Sequence, residues 1–321
     1  MRGSRTAVTQ AGRVRSAPAV KPSSLSRTVG AATGSRWFAV TGLVGVAVGL
    51  GTGHVCARLA FTHGVTVITA ATVRSVCASL LLLALLALRR TSPAPRPREF
   101  RATLLLGVCV VAQTLLLQFA VTRLPVTLAI LVFYTYPFLT SVATSLLGEH
   151  RLSARLVAAL LAAFAGLALV LGVGAQPVDT VGIAAAFGAS VSFTAALVLT
   201  PRLAPNLAAP MRTFCMMCTS AIVFVIAAIA TGRFELPVGT AAWIGLVGLS
   251  LLYAVGIVGL FLLLPLLGPV QTAVVLNLEP VAVAAVAWLA LGESLTSLQV
   301  VGALVVVIAV IAYQIRAGLG R

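Results

Sequence analysis

Long runs of apolar residues, separated by short polar breaks, make up most of the chain from Trp37 to Ile315. Each run has roughly 20 residues, the length at which an α-helix crosses about 30 Å of hydrocarbon. The breaks contain Pro, Gly and Arg, which favour turns and helix ends. The pattern therefore predicts ten transmembrane helices, at about 37–57, 65–88, 102–121, 126–147, 154–173, 181–200, 209–230, 240–263, 270–291 and 298–315.

Composition agrees with this pattern and excludes a water-soluble protein. Of the 321 residues, 60% are hydrophobic and 9% are charged, and the mean hydropathy is +1.12. Soluble domains carry about 25% charged residues. The net charge of +16 could suggest nucleic acid as a partner. However, the basic residues cluster between apolar runs and at the chain ends, where they would contact anionic lipid. We therefore expect an all-α polytopic membrane protein that contacts lipid and binds no nucleic acid.

The distribution of basic residues predicts the orientation. Of the 22 Lys and Arg residues, two lie inside helical runs and three (Arg58, Arg123 and Arg233) lie in breaks on the side opposite the N-terminus. The other 17 are on the N-terminal side. Cytoplasmic loops carry the excess of basic residues, so both termini are predicted to be in the cytoplasm and the protein in the cell membrane.

Residues 1–36 are basic, contain no acid and are rich in Ser, Ala, Pro and Thr. Such a segment fits an organelle transit peptide, a translated upstream region or a disordered cytoplasmic tail. The segment has no amphipathic period, which favours the tail. It also has no apolar core of a signal peptide, so no cleavage before the first span is expected. Residues 316–321 are predicted to form a short cytoplasmic tail.

A repeated pattern divides the apolar region into two copies. Val132-Phe-Tyr-Thr-Tyr-Pro137 precedes Gly148-Glu149, and Val274-Val-Leu-Asn-Leu-Glu-Pro280 precedes Gly292-Glu293. The two prolines are 143 residues apart, as are Leu152 and Leu295. The copies would span 37–173 and 181–315, with a linker at 174–180. Five helices in each copy force the second copy to enter the membrane inverted, an architecture of many secondary transporters.

These motifs resemble the EamA branch of the drug/metabolite transporter superfamily. Leu278-Glu279-Pro280-Val281 and Gly292-Glu293-Ser-Leu-Thr296 are similar to its second-copy signature, and Arg74 matches its helix-2 arginine. Gly51-Thr52 with Arg58 resembles its first-helix pattern, although Leu50 stands where many members have Trp and His54 where Phe is common. The resemblance covers 37–315 and implies export of small metabolites or drugs.

Glu279 is the principal candidate for a functional side chain. It is the only one of six acids inside a long apolar run. A carboxylate at membrane depth is costly, so it is either a functional group or a structural one satisfied by its neighbours. Pro280 and its counterpart Pro137 are predicted to kink their helices and to act as hinges.

Arg74 is predicted to lie too deep in the second helix to reach the aqueous surface. Two uses are open: an ion pair with Glu279, or a guanidinium that binds a substrate carboxylate. The five residues from Val73 recur as Met211-Arg212-Thr-Phe-Cys215. Arg212 is nearer the inner end of its helix and is expected to extend its charge to the interface.

Five further polar side chains stand at membrane depth. Tyr134, Tyr136 and Asn277 flank the two prolines, and they could line a cavity opened by the kinks; interfacial anchoring is the alternative for the tyrosines. Gln113 could contact substrate or form an interhelical hydrogen bond. His54 could relay protons or be a satisfied structural histidine.

The remaining motifs limit the function classes. Cys215-Met-Met-Cys218 has no second pair to complete a metal site, and no Gly-rich nucleotide loop is present. No cofactor, metal or enzyme activity is therefore predicted. Gly45-x-x-x-Gly49-x-x-x-Gly53 would allow close packing, within the chain or in a homodimer. The sequence favours a proton-coupled secondary exporter of a small molecule over a facilitative, channel-like permease or a non-transporting scaffold.

Overall fold

The computed structural model describes residues 22–89, 95–149, 152–172, 179–292 and 294–319. Residues 1–21 of the predicted tail, 174–178 of the predicted linker, Glu293 and residues 320–321 lie outside this part. The described helices are α1 Pro22–Thr62, α2 Val67–Arg89, α3 Pro97–Val121, α4 Val126–Phe133, α5 Tyr136–Leu146, α6 Ala154–Leu171, α7 Thr180–Leu203, α8 Ala209–Thr231, α9 Thr240–Leu267, α10 Pro269–Leu276, α11 Leu278–Leu291 and α12 Ser297–Leu319.

Ten segments of the described chain are long and apolar enough to cross a membrane, which confirms the predicted fold class. α4 with α5 forms the fourth span and α10 with α11 the ninth. The first helix differs from the prediction, because α1 begins at Pro22 rather than at Trp37. Proline suits the first turn of a helix, and extending a helix costs little once it has formed.

Both predicted kinks are present as helix breaks. α4 ends at Phe133 and α5 begins at Tyr136, and α10 and α11 are separated by Asn277. Each break comes before its proline. Pro137 lies in the first turn of α5 and Pro280 near the start of α11, because proline disfavours helix at the preceding residue but fits the first turn.

The packing of the helices follows the inverted repeat. α1 packs on α9 and α3 on α7, two pairings that the exchange of the repeats interconverts. α2 packs on α8 and α6 on α12, two pairings that the exchange maps onto themselves. In the same way, the broken helix α4–α5 packs on α7 and α10–α11 packs on α1. The second copy is therefore an inverted equivalent of the first.

Glycine allows the closest helix crossings. A Cβ on Gly166 would lie 2.8 Å from the Gly302 carbonyl oxygen, and one on Gly302 would lie 2.5 Å from that of Gly166. The glycine motif of α1 is used less than expected. Only Gly53 faces another helix, since a Cβ on Gly45 or Gly49 would meet nothing within 4 Å. Gly51, on a different face of the helix, lies against the backbone of α11 instead, since a Cβ there would lie 2.9 Å from the Glu279 carbonyl oxygen.

Candidate substrate and coupling site

Glu279 lies in the first turn of α11, directly after the break in the ninth span. Its side chain is 16% exposed. The first amides of a helix are not used by intrahelical hydrogen bonds and carry a partial positive charge, which favours a carboxylate at this position. The break therefore creates a local environment that partly compensates for the cost of burying the acid.

His54 on α1 is the direct partner of Glu279. Its Nε2 lies 2.8 Å from Oε1 of Glu279. Gly51, one turn earlier on α1, makes this contact possible, because a Cβ there would lie 2.9 Å from the Glu279 carbonyl oxygen and 3.0 Å from Cβ of Ala282. The backbones of α1 and α11 thus touch at the site. The His54 side chain is 57% exposed, so the pair is open on the histidine side.

Tyr134 and Tyr136, at the break between α4 and α5, complete this cluster. Both are buried, at 5% and 1% exposure, and both lie within electrostatic range of Glu279. The Tyr134 hydroxyl is the group that approaches the carboxylate. The Tyr136 ring lies 4.9 Å from that of Phe193 and 5.5 Å from that of Tyr134, measured between centroids. These positions exclude interfacial anchoring for the two tyrosines.

Arg74 belongs to a separate cluster. Its Nη2 donates to Oγ1 of Thr114 at 3.3 Å, and its guanidinium carbon lies 4.4 Å from the centroid of the Tyr253 ring. Its Nε is buried and has no hydrogen-bond partner. The ion pair with Glu279, one of the two uses left open by the sequence, does not form in the described part of the chain. α2 packs mainly on α8 and α9, whereas α11 packs mainly on α1.

Gln113 and Asn277 have local partners. The Gln113 side-chain oxygen accepts from the Thr114 hydroxyl at 3.5 Å and so adjoins the Arg74 cluster. Asn277 is 3% exposed, and its side-chain amide donates to the Val274 carbonyl oxygen at 3.3 Å. Asn277 therefore stabilises the helix break. The candidate site residues from the sequence did not include Tyr253. Its position, with a polar hydroxyl inside the eighth apolar run, could have indicated it.

The expectation that Arg212 extends to the interface is wrong. The residue is 3% exposed, and its Nη1 donates to the Ala204 carbonyl oxygen at 3.1 Å. That carbonyl ends α7, where basic groups interact favourably with the negative end of the helix. The recurring five-residue pattern suggests that Arg74 and Arg212 occupy equivalent positions in their helices, but they do not. Arg74 is the eighth residue of α2 and Arg212 the fourth of α8, so they differ in depth by about one turn.

The cluster around Glu279 thus consists of a carboxylate paired with an imidazole, and the cluster around Arg74 contains a guanidinium whose buried Nε is unused. Their helices come from both copies: α1, α2, α3 and α4–α5 from the first, and α9 and α11 from the second. Within the described residues, no group of three or more His, Cys, Asp and Glu side chains could hold a metal ion.

Comparisons with known proteins agree with this architecture. The profile of the EamA-like transporter family matches the chain twice, at residues 37–172 and 180–313. A solved structure titled "Crystal structure of protein" is similar with a TM-score of 0.72 and 18% identity, over 89% of this chain and 98% of that one. At this identity the likeness shows the fold alone. No curated protein matches the chain. With both copies matched over most of its length, the chain belongs to the EamA-like transporter family and is a multi-pass membrane transporter of the drug/metabolite transporter type.

Proposed function

We propose that the protein is a secondary transporter that exports a small amino acid-like or drug-like solute across the cytoplasmic membrane, coupled to protons. The observation that carries this proposal is the contact of 2.8 Å between His54 and Glu279. It joins the first copy to the second at a helix break inside the membrane-spanning region. Substrate and ion sites of inverted-repeat transporters are formed between the repeats by such discontinuous helices.

The His54–Glu279 pair is the proposed coupling site. With one proton it is an ion pair of zero net charge, and without that proton it carries one negative charge. Because His54 is the exposed member, protons would enter and leave through the imidazole. A conformational change that separates α1 from α11 would break the pair and change its affinity for the proton. Coupling then requires neither a metal nor a nucleotide.

Arg74 is the proposed contact for an anionic group of the substrate. Within the described part of the chain, no carboxylate lies within salt-bridge distance of it. Its buried Nε is unused, and the Tyr253 ring holds the guanidinium in place. Arginine prefers bidentate binding of a carboxylate, which would use the free Nε and one terminal nitrogen. The aromatic side chains Tyr134, Tyr136 and Tyr253 would contact the rest of the solute.

Pro137 and Pro280 are the proposed hinges of alternating access. The regular hydrogen-bond pattern of each helix is already interrupted beside its proline. Short-range bonds remain there, such as that from the Thr135 amide to the Val132 carbonyl oxygen at 3.1 Å and that from the Asn277 amide to the Val274 carbonyl oxygen at 3.2 Å, so bending at the break would disturb fewer backbone hydrogen bonds than bending an unbroken helix. Ser141 Oγ, in addition, donates to the Pro137 carbonyl oxygen at 2.8 Å. The inner and outer halves of the fourth and ninth spans could therefore move separately, one span for each copy.

Solute flux in proteoliposomes tests the proposal. A growth-rescue screen of an expressing strain against toxic amino acids and other metabolites would first supply a substrate. The purified protein should then move that substrate with saturable kinetics and show counterflow, in which an unlabelled solute drives uptake of the labelled one. Flux without saturation or counterflow would indicate a channel-like permease. No flux of a solute that the cells demonstrably export would indicate a non-transporting scaffold.

A further inference from the structure

A cavity of about 380 Å³ lies where α7 ends and α8 begins, away from both clusters described above. It falls within the usual range of roughly 300–1,000 Å³ for small-molecule sites. Its lining includes Asn206, Leu207, Ala208, Arg212 and Pro265, and no acidic residue. Asn206 is exposed and Arg212 buried, so the cavity extends from the surface of the protein to a buried guanidinium.

Arg212 is only partly satisfied at this position. At 3% exposure it makes one hydrogen bond among the described residues, from Nη1 to the neutral Ala204 carbonyl oxygen, and its Nε has no partner. Arginine is rarely buried unless it is paired with an acid. The nearby Arg202 is so paired, because its guanidinium donates to both carboxylate oxygens of Glu149. An external anion would supply the counter-charge that Arg212 lacks.

The beginning of α8 offers further donors to such an anion. Ala208 and Ala209 line the cavity, and no side chain caps the helix. The first helical hydrogen bond in this turn is that from the Arg212 amide to the Ala208 carbonyl oxygen, at 3.0 Å. Pro210 carries no amide hydrogen, so the unused donors of this first turn are the Ala209 and Met211 amides. A helix N-terminus beside a cationic side chain is a favourable place for a phosphate group.

We propose that this cavity binds a phosphate-bearing anion, held by the Arg212 guanidinium, the Asn206 side-chain amide and the first turn of α8. Two sources share this chemistry: the headgroup of an anionic phospholipid, and a soluble phosphate. The site is independent of the proposed transport cycle, since it shares no residue with the His54–Glu279 pair or with the Arg74 cluster. Its occupation would join α7 to α8 across the loop between them.

The test uses the full-length protein with two probes. Inorganic phosphate is titrated in detergent while the melting temperature is recorded, and nanodiscs of phosphatidylglycerol or phosphatidylcholine are analysed for retained lipid by native mass spectrometry. Asn206→Asp places a negative charge at the mouth of the cavity without removing Arg212 from its packed position. We expect it to weaken binding by about ten-fold or more. Arg212→Gln should also abolish binding, provided that this variant folds.

Arg155→Gln is the matched control. Arg155 is exposed near the start of α6, at the same end of the molecule, and its replacement changes the net charge by the same single unit. It should alter binding by less than about two-fold, because exposed charges are screened. Retention of phosphatidylglycerol alone would identify the ligand as a lipid headgroup. A melting-temperature response to inorganic phosphate alone would identify it as a soluble phosphate. If both probes bind, the site recognises the phosphate group that they share. No binding of either probe to the parent, or equal effects of Asn206→Asp and Arg155→Gln, would overturn the proposal.

Discussion

Glu279 and its partners show what a single residue in this sequence could and could not indicate. The sequence identified Glu279, because it is the one acid in a long apolar run, and the structure places it at 16% exposure. The sequence did not identify His54, which is 225 residues away in the chain, as the partner of Glu279. That contact depends on the crossing of α1 and α11 at Gly51, and no local pattern encodes a crossing. The sequence suggests Arg74 as a partner only because it is the other charge predicted to lie deep in the membrane.

At the residue scale, Arg74→Gln should impair substrate binding more than the maximal rate of transport. Removing a charged hydrogen-bond donor costs about 1.5–3 kcal/mol, which corresponds to a rise in the half-saturating concentration of roughly ten-fold or more. Concentration-dependent flux in proteoliposomes measures this. Arg233→Gln, at an exposed loop position, is the control and should leave both parameters unchanged. An unchanged half-saturating concentration for the Arg74 variant would mean that Arg74 only packs against Tyr253.

At the element scale, proline and glycine determine where helices break and cross. The two helix breaks could be predicted, because a proline in a long apolar run has a local effect on its own helix. The crossings could not. Gly45, Gly49 and Gly53 form the recognisable motif, yet Gly51, outside it, lies closer to a neighbouring backbone than any of these three. Which face of a helix meets a neighbour is decided by the assembly of all ten spans.

Gly51→Ala should destabilise the protein and weaken the His54–Glu279 contact. The added methyl group would have to displace the backbone of α11, since it would lie 2.9 Å from the Glu279 carbonyl oxygen and 3.1 Å from the Val283 nitrogen. Overpacking of this kind costs about 1–3 kcal/mol. A thermal melt in detergent measures the effect. Gly49→Ala, on the same helix with open space around it, should be neutral or slightly stabilising. Equal melting temperatures for the two variants would show that α1 and α11 do not touch at Gly51.

Asp179 at the start of α7 predicts a pH-dependent stability. Its Oδ1 accepts from the Val181 amide at 2.8 Å, and its Oδ2 accepts from Nη1 of Arg123 at 3.2 Å. The Arg123 guanidinium, followed by the Val181 amide, holds the pKa of this carboxyl below its usual value. A carboxyl with a lowered pKa in the folded state stabilises the protein fully above its ordinary pKa. That contribution is lost as the pH falls through the lowered value.

Asp179→Ala should therefore melt at a lower temperature than the parent at neutral pH, with a difference that shrinks in strongly acidic buffer. Asp179→Asn is the matched variant, because it keeps an oxygen for the helix cap and loses only the charge. It should lie between the other two at neutral pH. Melting temperatures of all three proteins across the acidic range measure this. A difference between parent and Asp179→Ala that grows towards low pH would contradict the assignment.

At the scale of the whole molecule, the inverted repeat explains both the pairing of the helices and the composition of the site. Ten spans predict that both chain ends lie on one side of the membrane, and the excess of basic residues predicts that this side is the cytoplasm. A fluorescent protein fused after Arg321 should be fluorescent in bacterial cells. An alkaline phosphatase fused at the same place should be inactive. The opposite pattern would contradict the predicted orientation.

The most direct test of the proposed mechanism is solute flux in proteoliposomes with and without an imposed pH difference, for the parent and for Glu279→Gln. Glutamine keeps the size and a hydrogen bond to His54 but removes the negative charge that would hold the proton on the imidazole. The parent should transport faster when the gradient favours proton entry from the receiving side. The Glu279→Gln variant should still exchange solute but should not respond to the gradient. Glu235→Gln, at an exposed loop position, is the control and should behave as the parent does. If Glu279→Gln responds to the gradient as the parent does, Glu279 is structural and the coupling site lies elsewhere.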